Sequence, residues 1–158
     1  MTAGTAAGLA AALQWLAGLP PAALLRDSTW AYPFVEILHI VGFVVLAGSI
    51  FVVDLRLVGV GRVVPMDALL RFVLPWTIGS TAVVVPTGTL LFMAHAPELA
   101  TNLALQVKLA LLVLALLNAA SFHHAMRTGR VLHARWAGAT SMVLWLGVIA
   151  AGRLIAYV

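Results

Sequence analysis

The sequence predicts an all-α integral membrane protein, a four-helix bundle with an N-terminal interfacial amphipathic helix. Three observations carry that expectation. Apolar residues make up 63% of the 158 and charged residues only 9%, where an ordinary soluble domain carries roughly 25% charge. A water-soluble chain of this length could not hide so much apolar surface, so the solvent is largely lipid. Four apolar stretches each reach the roughly 20 residues that cross about 30 Å of hydrocarbon. Finally, the arginines gather in alternate connections between those stretches. Lipid offers the backbone no hydrogen-bond partners, so each stretch closes its own bonds as a helix.

Residues 1–29 form an N-terminal segment. Leu9, Leu13, Leu16 and Leu19 share one side of a helix, with Gln14 and Trp15 nearby, until Pro20 and Pro21 interrupt it. The segment is short and broken for a span and has no basic n-region of a secretory signal, so the expectation is a helix lying on the membrane surface. The transmembrane domain follows over 30–158, with spans at about 33–53, 72–94, 99–125 and 136–158.

Arg56, Arg62 and Arg71 lie between the first and second spans, and Arg127, Arg130 and Arg135 between the third and fourth. The connection around Glu98 has no basic residue and the N-terminal segment only Arg26. The positive-inside rule then places the arginine-rich connections in the cytoplasm and both termini outside, in a multi-pass protein of the bacterial inner membrane. The basic balance is thus a topology signal, not a nucleic-acid footprint. Pro75 falls in the first turn of the second span, where a missing N–H costs little, and Pro86 mid-span predicts a kink beside Thr87 and Gly88. Gly42, Gly48, Gly79, Gly88, Gly138, Gly147 and Gly152 offer small-residue faces for close helix contact.

The chain has no cysteine, which excludes disulfides, iron–sulfur clusters and thiolate metal sites. It also lacks a His-Glu-x-x-His zinc motif, a glycine-rich phosphate loop and a nucleophile elbow. Ionisable residues inside a membrane are costly and are the first functional candidates. Counted along the helix at 1.5 Å per residue from the cytoplasmic boundaries, His39 lies about 23 Å out, and Lys108 and Arg153 about 26 Å. Glu36 is one turn from His39 on the same face. The expectation is an outward-facing polar pocket of four residues in three roles. His39 is its ligand, metal-binding or proton-transfer group, Glu36 the orienting carboxylate, and Lys108 and Arg153 the anion-holding cations. Snorkelling of both cations to the outer headgroups is the competing account.

His95 is the candidate for a second axial ligand opposite His39, although the same count puts it about 36 Å out, beyond His39. His123 and His124 close the third span and point about 100° apart, which fits interfacial positions better than a shared centre. His133 lies in the following connection. Asp54 and Arg56 are expected to anchor the end of the first span, and Asn118 to hydrogen-bond across to another helix.

The run Trp30-Ala31-Tyr32-Pro33-Phe34-Val35-Glu36-Ile37-Leu38-His39-Ile40-Val41-Gly42, followed by Asp54-Leu55-Arg56-Leu57-Val58-Gly59, resembles the signature of an uncharacterised family of small four-helix bacterial inner-membrane proteins. Thr87-Gly88, Lys108, Asn118, Phe122-His123 and Gly152-Arg153-Leu154-Ile155-Ala156-Tyr157 extend the resemblance over most of the chain from Trp30. It implies the fold and brings no activity with it. Leu38-His39-Ile40, Lys108 and His123 are also similar in placement to the bacterial four-helix membrane protoporphyrinogen oxidases, and the helical layout to the copper-resistance membrane domain. The first resemblance implies haem b and electron transfer toward the respiratory chain, although the Asn-Glu-x-Pro element of that family is not present here; the second implies copper handling.

The functional expectation is a membrane protein that binds haem b, or a related redox cofactor, near the outer face. His39 is then an axial ligand, and Lys108 and Arg153 hold propionates or an anionic quinone or porphyrin. Copper is the alternative metal. Two other classes compete: an accessory subunit of a respiratory or other membrane complex, self-associated or not, and a metal or small-solute permease using Glu36 and His39.

Overall fold

A computed structural model describes residues 3–127 and 134–158. Arg130 and His133 lie outside the described residues. Among these residues the chain forms seven helices and no strand: α1 (Ala3–Ala17), α2 (Pro20–Asp27), α3 (Ala31–Val58), α4 (Met66–Ala94), α5 (Ala96–Thr101), α6 (Leu103–Arg127) and α7 (Ala134–Leu154). Four helices, Ala31–Val58, Met66–Ala94, Leu103–Met126 and Ala134–Leu154, are long and apolar enough to cross a membrane. The expected all-α membrane fold is therefore what the chain adopts. Large apolar side chains such as Phe34, Trp76, Leu116 and Val143 are exposed along these helices, as helices bathed in lipid require.

The boundaries differ from the sequence reading for identifiable reasons. The apolar runs mark the hydrocarbon, and helices α3 and α4 continue past them into the interface, to Val58 and back to Met66. The span expected at 99–125 is in fact preceded by a separate short helix. Pro97 sits in the first turn of α5, and Asn102 takes an extended conformation that ends α5 before α6 begins. The last helix stops at Leu154 rather than at residue 158 and closes with a turn from the Tyr157 N–H to the Leu154 carbonyl. After α3 the chain reverses through Gly59 (φ 113°) and Gly61 (φ 64°), left-handed positions where a side chain would be strained. Arg56 braces that turn by donating to the carbonyls of Val64 and Arg62.

The chain divides into two compact units. The first comprises Met1–Val44 and Gly79–Asn102. Within it α1 and α2 meet at a 65° bend, set by Pro20 and Pro21 at the start of α2. Ala22 and Leu25 of α2 are buried while Leu24 is exposed, and α1 packs against α5. Arg26 donates to the carbonyls of Ala17 (2.6 Å) and Ala94 (3.0 Å). These are the last residues of α1 and α4, so one guanidinium answers two helix ends whose carbonyls have no intrahelical partner. The α3–α4 contact is made where a Cβ on Gly42 would lie 3.0 Å from Val84 Cγ2 and 3.3 Å from Val83 Cγ1.

The second unit comprises Val45–Ile78 and Leu103–Val158. Helix α7 turns a buried stripe inward, Gly138, Ser141, Trp145, Val148 and Ala151, at helical spacing. A Cβ on Gly138 would meet Leu57 Cβ at 2.9 Å and the Asp54 carbonyl oxygen at 3.0 Å, and one on Gly147 would meet Leu111 at 3.1 Å. Asn118 Nδ2 donates to the Ala137 carbonyl at 3.0 Å, the cross-helix bond expected of it. Gly48 and Gly79 have nothing within 4 Å of an added Cβ, so those small-residue positions are open.

Because α4 crosses, its flanking connections are expected on opposite faces. The chain has no cysteine, so single Arg62→Cys and Glu98→Cys variants report cleanly in sealed vesicles. A membrane-impermeant maleimide is expected to label one of the two from outside and the other only after permeabilisation. Labelling of both from one side would contradict the crossing.

Candidate functional site at His39

His39 lies on α3, in the same unit as Thr87 and Gly88 of α4. It is half-buried, and its Nδ1 is 3.0 Å from Thr87 Oγ1. The Thr87 side chain is buried and its hydroxyl donates to the Val83 carbonyl at 2.7 Å, with Val84 at 3.2 Å. A threonine hydroxyl has one proton, and here the helix carbonyls take it. With that proton on Val83, Oγ1 is left as an acceptor, which favours the His39 tautomer that carries its proton on Nδ1. In that tautomer Nε2 keeps its lone pair.

Gly88 makes the seat. A Cβ there would stand 2.8 Å from His39 Cε1 and 3.4 Å from Nδ1, so the ring occupies the space that any other residue would fill. Phe43, one turn further along α3, lies with its ring 6.4 Å from the imidazole. An imidazole held by a hydrogen bond at one ring nitrogen is the arrangement that metal-ligating histidines use. It serves equally for accepting a proton.

The other expected residues are placed as follows. Glu36 is exposed, one turn before His39, and Thr87 supplies the hydrogen bond at Nδ1. His95 packs edge-on against Tyr32, with ring centroids 5.4 Å apart at 87°. Tyr32 precedes His39 by two helical turns, about 10 Å along α3, so the histidine packing on Tyr32 does not converge on His39. Lys108 and Arg153 belong to the second unit. Lys108 is half-buried and lies across Gly152, whose Cβ would be 3.4 Å from Nζ. Arg153, the next residue, donates to the Tyr157 hydroxyl at 2.6 Å and has its guanidinium 4.9 Å from the centre of that ring. His123 and His124 are exposed, with His123 beside Phe122.

Two residues gain roles that their sequence reading did not give them. Thr87 was legible only as a residue beside the kink expected at Pro86; the signal was its pairing with Gly88. Asp54, expected at the boundary as an anchor, is 5% exposed. It continues the buried stripe of Leu46 and Ala47 along α3, a helical spacing visible in the sequence. No family model matches the chain, and no curated protein or solved structure is similar to it.

Thr87→Val keeps the shape and removes the acceptor, which is expected to cost about 1 kcal/mol of stability. Gly88→Ala forces the ring or the helix aside, at about 1–3 kcal/mol. Unfolding of the detergent-solubilised variants measures both. If Thr87→Val is as costly in a His39→Phe background as in the native chain, the bond to His39 is not what Thr87 contributes.

Proposed function

We propose that this protein is a membrane-embedded electron carrier in which His39, through Nε2, would hold haem b or a related redox cofactor. The observation that supports the reading is the 3.0 Å hydrogen bond between His39 Nδ1 and Thr87 Oγ1 on a ring seated against Gly88, an arrangement that favours the tautomer with Nε2 unprotonated. Ligation by histidine requires that form of the ring.

A haem brings four ring nitrogens of its own and asks the protein for one or two ligands, so a single oriented histidine suffices. Copper asks the protein for more, and no group of three His, Cys, Asp or Glu side chains converges among the described residues, so haem is preferred. Bound there, haem would supply reversible one-electron chemistry. The chain's own residues would orient the ligand at Thr87, leave it room at Gly88 and surround it with apolar side chains that raise the effect of each nearby charge. The similarity of Leu38-His39-Ile40 to the membrane protoporphyrinogen oxidases supports the same reading.

The arginines of the α3–α4 and α6–α7 connections support a cytoplasmic placement of those connections in a bacterial inner membrane. His39 would then stand in the outer part of the bilayer, where a quinone or a respiratory-complex subunit is a suitable electron partner. A reduced-minus-oxidised spectrum of the protein purified in detergent tests the proposal. The expected result is a Soret band that is lost in His39→Ala while the variant still purifies as a folded helical protein. Absence of the band after haem supplementation, with neither iron nor copper retained, would overturn it.

A further inference from the structure

Asp54 is the most enclosed ionisable side chain among the described residues, and the electron-carrier reading makes no use of it. It lies on α3 in the contact with α7, 5% exposed. The Ser141 hydroxyl, itself buried, hydrogen-bonds to its carboxyl group, while Oδ2 is buried with no hydrogen-bond partner. The helices close tightly around it: its own carbonyl oxygen would be 3.0 Å from a Cβ at Gly138, and Leu57 Cβ 2.9 Å.

Of the charged groups near it, the side chains of Arg127, Arg130 and His133 lie outside the described residues. Arg56, two residues on, is committed to the carbonyls of Val64 and Arg62. Arg135, at the start of α7, is exposed. From α7 the groups facing Asp54 are Gly138 and Ser141, neither of them charged.

A bare carboxylate in that position would carry an unanswered charge in a closed helix contact away from water, which is a costly arrangement. A metal cation needs several oxygen ligands and space that this contact does not leave. A basic side chain from another subunit could not reach an atom so enclosed. The ligand that needs no room is a proton. We propose that Asp54 is a proton-binding site built into the α3–α7 contact, with the proton carried on Oδ2 and Ser141 holding the other oxygen. Proton uptake and release there is coupled to how closely α3 and α7 pack, independently of any cofactor at His39.

The test uses the full chain in detergent and in liposomes. Dicyclohexylcarbodiimide is a hydrophobic reagent that adds to a carboxylic acid, not to a carboxylate, and rearranges to a stable N-acylurea without a leaving group. The chain has five carboxyl side chains, Asp27, Glu36, Asp54, Asp67 and Glu98, so peptide mass spectrometry resolves which one reacts. The expected result is an adduct at Asp54 that forms only as the α3–α7 contact opens, fades as pH rises and is lost in Asp54→Asn, which keeps the shape and the bond to Ser141 without a charge. Infrared spectroscopy supplies a readout that does not depend on reagent access: a protonated-carboxyl carbonyl band present in the native chain and lost in Asp54→Asn. Failure of that band to appear at any pH at which the protein stays folded would overturn the proposal. So would a band that persists unchanged in Asp54→Asn, because the protonated carboxyl would then belong to another residue.

Discussion

In lipid, two helices gain nothing by hiding apolar surface from each other, because the tails around them are as apolar as their side chains. What remains is close van der Waals contact, and it is strongest where one helix has no side chain to keep its neighbour away. This protein depends on that constraint. Gly42 receives Val83 and Val84, Gly138 receives Leu57 and the Asp54 carbonyl, and Gly147 receives Leu111. At Gly138 the approach is closer than an alanine would allow, and at Gly42 and Gly147 an alanine would require its neighbour to give way, so helix packing is specified more by where glycine stands than by apolar content, which is nearly uniform along the spans.

The same device positions the costly residues. His39 rests against Gly88, Lys108 against Gly152, and Asp54 beside Gly138. An ionisable side chain in a membrane helix must either escape to water or find a polar neighbour, and both options need space. Thr87 shows how the polar partner is provided. Its proton satisfies a carbonyl of its own helix, which turns its oxygen into an acceptor for the histidine. A residue that costs the helix little thereby favours one imidazole tautomer over the other.

The spans, their class and the Asn118 cross-link were legible because each follows from a local rule: length against bilayer thickness, and a lone amide that must find a carbonyl. The interruption between α5 and α6 was not, since Pro97 marks a helix start while the extended backbone at Asn102 depends on how α5 docks. The depth count separated His95 from His39, and the Tyr32–His95 packing agrees with it. It could not tell which residue would meet His39 Nδ1, because Glu36 and Thr87 are both within reach of the same level and only packing chooses. Asp54 was misjudged for a related reason. A carboxylate next to an arginine at the end of an apolar run reads as an interface anchor, and its burial follows from the close approach of Gly138, eighty-four positions later in the chain.

The central claim is that the fold presents His39 with its proton on Nδ1 and a lone pair on Nε2. Nitrogen-15 NMR of the ligand-free protein, labelled at histidine and assigned by comparison with His39→Ala, reads the tautomer directly. The account predicts a pyrrole-type signal for Nδ1 and a pyridine-type signal for Nε2, with the preference weakened in Thr87→Val. A protonated Nε2 with a bare Nδ1 in the native chain would contradict it.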